Sequence, residues 1–237
     1  MLFALLALAI SLRMVNAGAL LSSGANVRSV AGLLAGAAIG AKIGFMLQFP
    51  LLPLAADTQT IWMVLAGNSG PGAFAGGVLG LAVAAGARTG YVAEALLPAV
   101  LAAWLILDLG ALFWALTEPG FGIATDRWGV DFGDGVGRHP VMLYDAGAML
   151  GLLWAARATR LAGPGADVRT GMVVGACFGI WFLLGFLKPP FGPLLILEAV
   201  SPRPALYPPG LTGEQWLCLV AIGWIGAKVW RAAPISR

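Results

Sequence analysis

Apolar residues run along this chain in long blocks separated by short polar stretches. Seven blocks read as membrane spans, at about 2–22, 30–51, 71–87, 94–116, 140–156, 170–187 and 212–230. Each approaches the roughly 20 mostly apolar residues that a spanning helix requires. Shorter apolar pieces at 59–66 and 191–200 fall below that length and read as interfacial or re-entrant segments. One loop, at about 117–139, carries the Gly/Asp-rich stretch Asp131-Phe132-Gly133-Asp134-Gly135. The pattern predicts an all-α polytopic membrane bundle of about seven transmembrane helices, a single integral membrane domain over 1–237. The first block invites comparison with a signal peptide, because Leu2 to Ile10 is apolar and Asn16-Ala17-Gly18-Ala19 resembles a cleavage site. A positive leading segment is missing and Arg13 interrupts the apolar run, so the block reads as a retained span.

Composition sharpens this picture. Hydrophobic residues make up 59% of the chain and charged residues 11%, against roughly 25% charge in a soluble domain. Mean hydropathy is +0.88. The excess of three positive charges is too small and too scattered for nucleic-acid binding, and basic loops facing an anionic leaflet account for it. Arg28, Arg88, Arg157, Arg160, Arg169, Lys228, Arg231 and Arg237 would lie on one side of the bundle, and only Arg127, Arg138, Lys188 and Arg203 on the other. The positive-inside rule then places the N-terminus outside and the C-terminus in the cytoplasm. Cys177 and Cys218 sit in apolar blocks as small spacers, too few for a disulfide framework. One histidine and two separated cysteines make no metal site. The glycines lie inside apolar blocks, not between a strand and a helix, so no nucleotide loop is present and no cofactor is expected.

Glycine spacing adds a packing expectation. Gly32, Gly36, Gly40 and Gly44 recur every four residues, as do Gly72, Gly76 and Gly80, and Gly171, Gly175 and Gly179. Such rows give each helix a flat face that lets two backbones approach closely.

Candidate chemistry lies in the ionisable residues within or beside the spans. Arg13, Lys42, Asp108 and Asp145 fall inside apolar blocks, where charged groups are expensive and mark functional positions by default. Arg13 and Lys42 have stems long enough to reach polar surroundings. Asp108 does not, and must be paired, protonated or open to a polar cavity; a structural ion pair with Lys42 or Arg13 is as good a reading as a site. The run Arg138-His139-Pro140-Val141-Met142-Leu143-Tyr144-Asp145 holds the chain's one histidine. Pro140 suits a first helical position. A helix start beside Arg138 and His139 would bind an anion such as a lipid phosphate, or would simply be an interfacial histidine with a snorkelling arginine.

Several blocks together resemble the prolipoprotein diacylglyceryl transferase family. Arg138 to Asp145 is similar to that family's RHPxQLYE block. Gly40-Ala41-Lys42-Ile43-Gly44-Phe45-Met46-Leu47, Phe74-Ala75-Gly76-Gly77-Val78-Leu79-Gly80 and Gly213-Glu214-Gln215 are similar to its other blocks, in the same order. The resemblance covers about residues 25–230. It implies seven spans in a bacterial inner membrane. It also implies transfer of the diacylglyceryl group of phosphatidylglycerol to the cysteine thiol of a lipoprotein signal peptide. It places Lys42, Arg138, His139, Tyr144 and Asp145 around a phospholipid headgroup, with His139 and Asp108 as catalytic candidates. Such chemistry needs anion binding for the leaving glycerol phosphate and a base for the thiol.

The chain departs from the family at named positions. The family's FHGG histidine falls at Ala75, and its Arg-Leu-Gly-Asn run falls at Asp108-Leu109-Gly110-Ala111. An aspartate in place of an arginine reverses the attraction for phosphate. Two readings follow: a divergent transferase using other groups, or a homologue that kept the bundle and lost the reaction, serving as a lipid-binding scaffold or as a subunit beside another membrane protein. A third reading makes Asp108 and Asp145 the carboxylate pair of an intramembrane aspartyl hydrolase.

Overall fold

A computed structural model describes residues 27–50, 61, 65, 67–86, 89–114, 122–131, 135–159, 165–188 and 206–232. The segment 2–22 with Arg13, the piece at 191–200 and most of 59–66 lie outside the described residues. Among the described residues six helices carry the architecture: α1 (Val27–Gln48), α2 (Gly70–Ala85), α3 (Thr89–Trp114), α4 (Val141–Thr159), α5 (Ala166–Leu184) and α6 (Gly213–Ala232). The all-α expectation holds, and two small hairpins join the helices: β1 (Val130–Asp131) with β2 (Gly137–Arg138), and β3 (Leu206–Tyr207) with β4 (Leu211–Thr212). Two helical stretches, Val27–Gln48 and Val92–Gly110, are long and apolar enough to cross a membrane by length and composition. Gly70–Ala85 and Val168–Leu184 are shorter apolar helices.

Local chemistry explains where α2 begins and ends. The Ser69 hydroxyl accepts from the Gly72 amide at 3.1 Å, and Pro71 occupies the first turn, where its missing N–H costs nothing. Gly86 closes the helix at φ 57°, a left-handed value that a side chain would disfavour. α4 begins directly after Pro140, whose carbonyl accepts from the Leu143 and Tyr144 amides.

α1 and α2 are packed backbone to backbone along their whole length. A Cβ added to Gly40 would stand 2.7 Å from Gly76 Cα, and one on Gly72 would stand 3.0 Å from Gly44 Cα. The glycine rows thus produce the close approach expected of them. The third row behaves differently. A Cβ on Gly171 would meet the Val229 side chain at 2.6 Å, but one on Gly179 would meet nothing within 4 Å.

The main core lies among α3, α4, α5 and α6, with Leu101, Met149, Cys177, Phe178 and Cys218 almost wholly buried. Both cysteines are free and buried, as spacers in apolar helices should be. Phe74 carries α2 into this core through edge-on contacts with Phe178 and Trp181.

The region after α3 is an ordered hairpin where it is described. β1 and β2 pair antiparallel, Val130 with Arg138 and Asp131 with Gly137. The hairpin is fastened to the bundle at two points: Gly122 donates to the His139 carbonyl at 2.7 Å, and Ile123 to that of Leu187 at 2.8 Å. The first contact joins the hairpin to the start of α4 and the second joins it to the end of α5. Lys188 in turn lies 3.9 Å from Glu214 at the start of α6, and Gly213 approaches the Leu47 backbone at the end of α1. These contacts fix one end of the bundle. Arg28, Arg157, Arg169, Lys228 and Arg231 sit on the opposite helix ends.

Candidate functional site

A polar centre lies inside the bundle end that carries Lys188, Glu214 and the hairpin. Asp145, in the second turn of α4, accepts from the indole N–H of Trp181 on α5, at 3.1 Å to Oδ1 and 3.2 Å to Oδ2. The Trp104 indole on α3 donates to Oδ2 at 3.4 Å. The two indoles pack against each other with centroids 4.8 Å apart. A half-buried carboxyl group is therefore held by neutral donors from two neighbouring helices, as burial of a polar group demands. Asp108, one turn beyond Trp104 on α3, lies within electrostatic reach of Asp145 and Lys188. Its Oδ2 is buried and has no hydrogen-bond partner.

Gln215, at the start of α6, lies at the same end of the bundle. It is 4% exposed; its Oε1 accepts from the Thr212 amide at 2.9 Å and from the Thr212 hydroxyl at 3.3 Å. Its Nε2 is buried without a partner. The side chain rests against Gly185, where a Cβ would stand 2.9 Å from Gln215 Cγ.

The residues singled out in the sequence divide into separate groups. His139 and Tyr144 come together, with Nδ1 and the phenol oxygen 3.2 Å apart. Tyr144 and Asp145 are neighbours in the chain but serve different contacts, Tyr144 toward His139 and Asp145 toward the tryptophans. Lys42 Nζ donates to the carbonyls of Leu65 and Gly67, the latter at 2.8 Å. Arg138 lies in β2, its backbone paired with Val130 and bridged to Ala124. The start of α4 is more occupied than an open anion nest would be, because the amides of Val141, Leu143 and Tyr144 all donate to the carbonyls of His139 and Pro140. Among the described residues, the charged groups that reach Asp108 are Asp145 and Lys188. Trp104, Trp181, Glu214 and Gln215 were not site candidates by sequence; an indole within an apolar block, whose N–H needs an acceptor once buried, is the signal that could have found the first two.

Beside the polar centre is an apolar cavity of about 740 Å³. Its walls come from Leu47 on α1, Ala75, Val78 and Leu79 on α2, Phe178 on α5, and the face of α6 running from Gly213 to Ile225. Tyr207 and Pro208 of the second hairpin close one end. They are fixed there by bonds from Tyr207 Oη to the Leu47 carbonyl at 3.0 Å and from Trp216 Nε1 to the Pro208 carbonyl at 3.1 Å. One aromatic layer links cavity and polar centre: Phe178 lines the cavity, touches Trp181 at 5.9 Å between centroids, and Trp181 holds Asp145.

Compared with known protein families and with curated proteins, the chain matches none.

Proposed function

We propose that this chain is a multi-pass protein of the bacterial inner membrane that binds a two-chain glycerolipid in the cavity between α1, α2, α5 and α6. In this reading the bundle has seven spans, with the N-terminus outside and the C-terminus cytoplasmic. The cavity carries the proposal. Its volume of about 740 Å³ falls within the roughly 300–1,000 Å³ of small-molecule sites. Its walls are aliphatic and aromatic throughout, which suits hydrocarbon tails and little else.

Two further observations support the membrane setting. Large apolar side chains face outward on most helices, among them Leu34, Val83, Leu150, Leu183 and Val220, a surface that water would penalise and lipid would not. Exposed Trp154 and Trp230 stand beside Arg157 and Arg231 at the basic end of the bundle, the arrangement of an interfacial belt.

The resemblance to diacylglyceryl transferases suggests the lipid class, while the polar centre argues against the transfer step. Phosphoryl leaving groups are stabilised by arginines and other cations, and here the position of the family's arginine holds Asp108. The cation reaching the carboxyl pair is Lys188. An aspartyl hydrolase is not favoured either, because both Asp145 oxygens are occupied by indole N–H groups and a water-activating pair needs oxygens that face each other.

The test is lipid extraction from the purified full chain, followed by mass spectrometry, for the natural sequence and for Val78→Trp, which fills the cavity. A two-chain lipid retained by the first and lost by the second supports the proposal. Equal retention by both removes the cavity as the site. Incubation with labelled phosphatidylglycerol and a lipobox peptide is expected to give no transfer above a vesicle blank.

A further inference from the structure

We infer that the polar centre selects a lipid head that donates hydrogen bonds and carries no net negative charge, in preference to an anionic phosphate head. The inference rests on the lipid-binding reading and deepens it. The shared chemistry is a donor head, met by the hydroxyl of a diacylglycerol or by the ammonium of an ethanolamine lipid.

Charge is the first support. Lys188 lies 3.9 Å from Glu214 and within electrostatic reach of both Asp108 and Asp145. Ionised, the aspartates repel phosphate; protonated, they leave Lys188 beside Glu214, a pair with no net positive charge. In neither state does the centre become an anion site.

The unpartnered atoms are the second support, and they are independent of the charge count. Asp108 Oδ2 is buried with nothing donating to it. A buried polar atom left this way is costly, and a head hydroxyl or ammonium would satisfy it. Gln215 Nε2, on a side chain 4% exposed, is a donor with nothing accepting from it. An ester carbonyl, which lies next to the head in any glyceride, is an acceptor of the kind it lacks.

Placement is the third. Phe178, Trp181 and Gly185 follow one another at i, i+3 and i+7 on α5 and its C-terminal turn, so they share one face. Along that face Phe178 lines the cavity, Trp181 binds Asp145 and Gly185 supports Gln215. Tails in the cavity would therefore bring the head toward the carboxyl pair.

The experiment uses the purified full chain in nanodiscs and three lipids with identical fluorescent tails: diacylglycerol, phosphatidylethanolamine and phosphatidylglycerol. One of the first two should bind about tenfold more tightly than phosphatidylglycerol. Which of them leads identifies the hydroxyl or the ammonium as the head recognised. Measured in alkaline buffer, where the carboxyl carries its charge, Asp108→Asn should narrow that gap severalfold by relieving the repulsion. Phosphatidylglycerol binding as tightly as the others overturns the head selection and leaves lipid binding standing. A preference that Asp108→Asn leaves unchanged overturns the assignment to the carboxyl pair. If none of the three binds, the lipid-binding reading falls and this inference falls with it.

Discussion

Adding one methyl group at Gly76 should separate two helices. Gly76 sits in the middle of the close approach of α1 and α2: a Cβ there would stand 2.7 Å from Gly40 Cα and 3.0 Å from the Gly36 carbonyl carbon, with the Gly36 oxygen nearer still. All three are backbone atoms of α1, so no rotamer change can relieve the clash. An ordinary carbon contact is about 3.5–4.0 Å, so Gly76→Ala must push the helices apart by about 1 Å. That displacement loosens contacts along the whole glycine row, from Gly32 opposite Gly80 to Gly44 opposite Gly72. Overpacking of this kind costs roughly 1–3 kcal/mol. Alanine's better helix propensity returns up to about 1 kcal/mol. The net loss should be about 1–2 kcal/mol, or a melting temperature lower by roughly 3–8 °C for a chain this long. Native tryptophan fluorescence during a thermal ramp of the detergent-purified protein would read it. Gly147→Ala is the control, because a Cβ there meets nothing within 4 Å; it should be neutral or stabilising. If Gly76→Ala melts with Gly147→Ala, the backbone-to-backbone packing of α1 on α2 is wrong.

Two further substitutions test local elements. Ser69→Ala removes the buried hydroxyl that accepts from the Gly72 amide and should lower stability by about 1 kcal/mol in the same melt; an unchanged midpoint would mean that α2 starts elsewhere. Trp181→Phe strips the N–H that holds both Asp145 oxygens and should cost about 1–3 kcal/mol. Adding Asp145→Leu to Trp181→Phe should recover part of that loss, and a strictly additive double variant would count against the pairing.

Much of the helical layout was legible because apolar blocks long enough for a helix are hard to misread. α1, α2, α4, α5 and α6 each fall on an expected block to within a few residues. α3 begins earlier than its apolar run, at Thr89, and Glu94 at the edge of that run is matched by Arg169 of α5 at 2.8 Å. That partner is far away in the chain, and periodicity cannot see it. Two glycine rows were read correctly as a close-packing face, since a four-residue repeat lies on one helix side whatever surrounds it. Gly179 shows the limit, because spacing says nothing about whether a partner arrives. The polar site was legible in part. His139 and Tyr144 are five residues apart at a helix start and meet. Asp145 was visible as an ionisable group in an apolar block, but its partners come from α3 and α5, and only packing selects Trp104 and Trp181 from nine tryptophans. Lys42 was read toward a headgroup; its ammonium instead ties α1 to the carbonyls of Leu65 and Gly67.

The glycine-packed pair has a mechanical meaning. α1 and α2 touch each other closely from end to end, whereas they meet the other four helices at fewer places: Phe74 against Phe178 and Trp181, Leu81 against Val92 and Leu96, and the Leu47–Gly213 approach. The pair is in effect a stiff shutter leaning on a separate frame, and the cavity occupies the gap where they lean. Tilting the shutter at those contacts would enlarge that gap while leaving the glycine seam intact, so in the proposed membrane setting a bulky guest could enter sideways without unfolding anything.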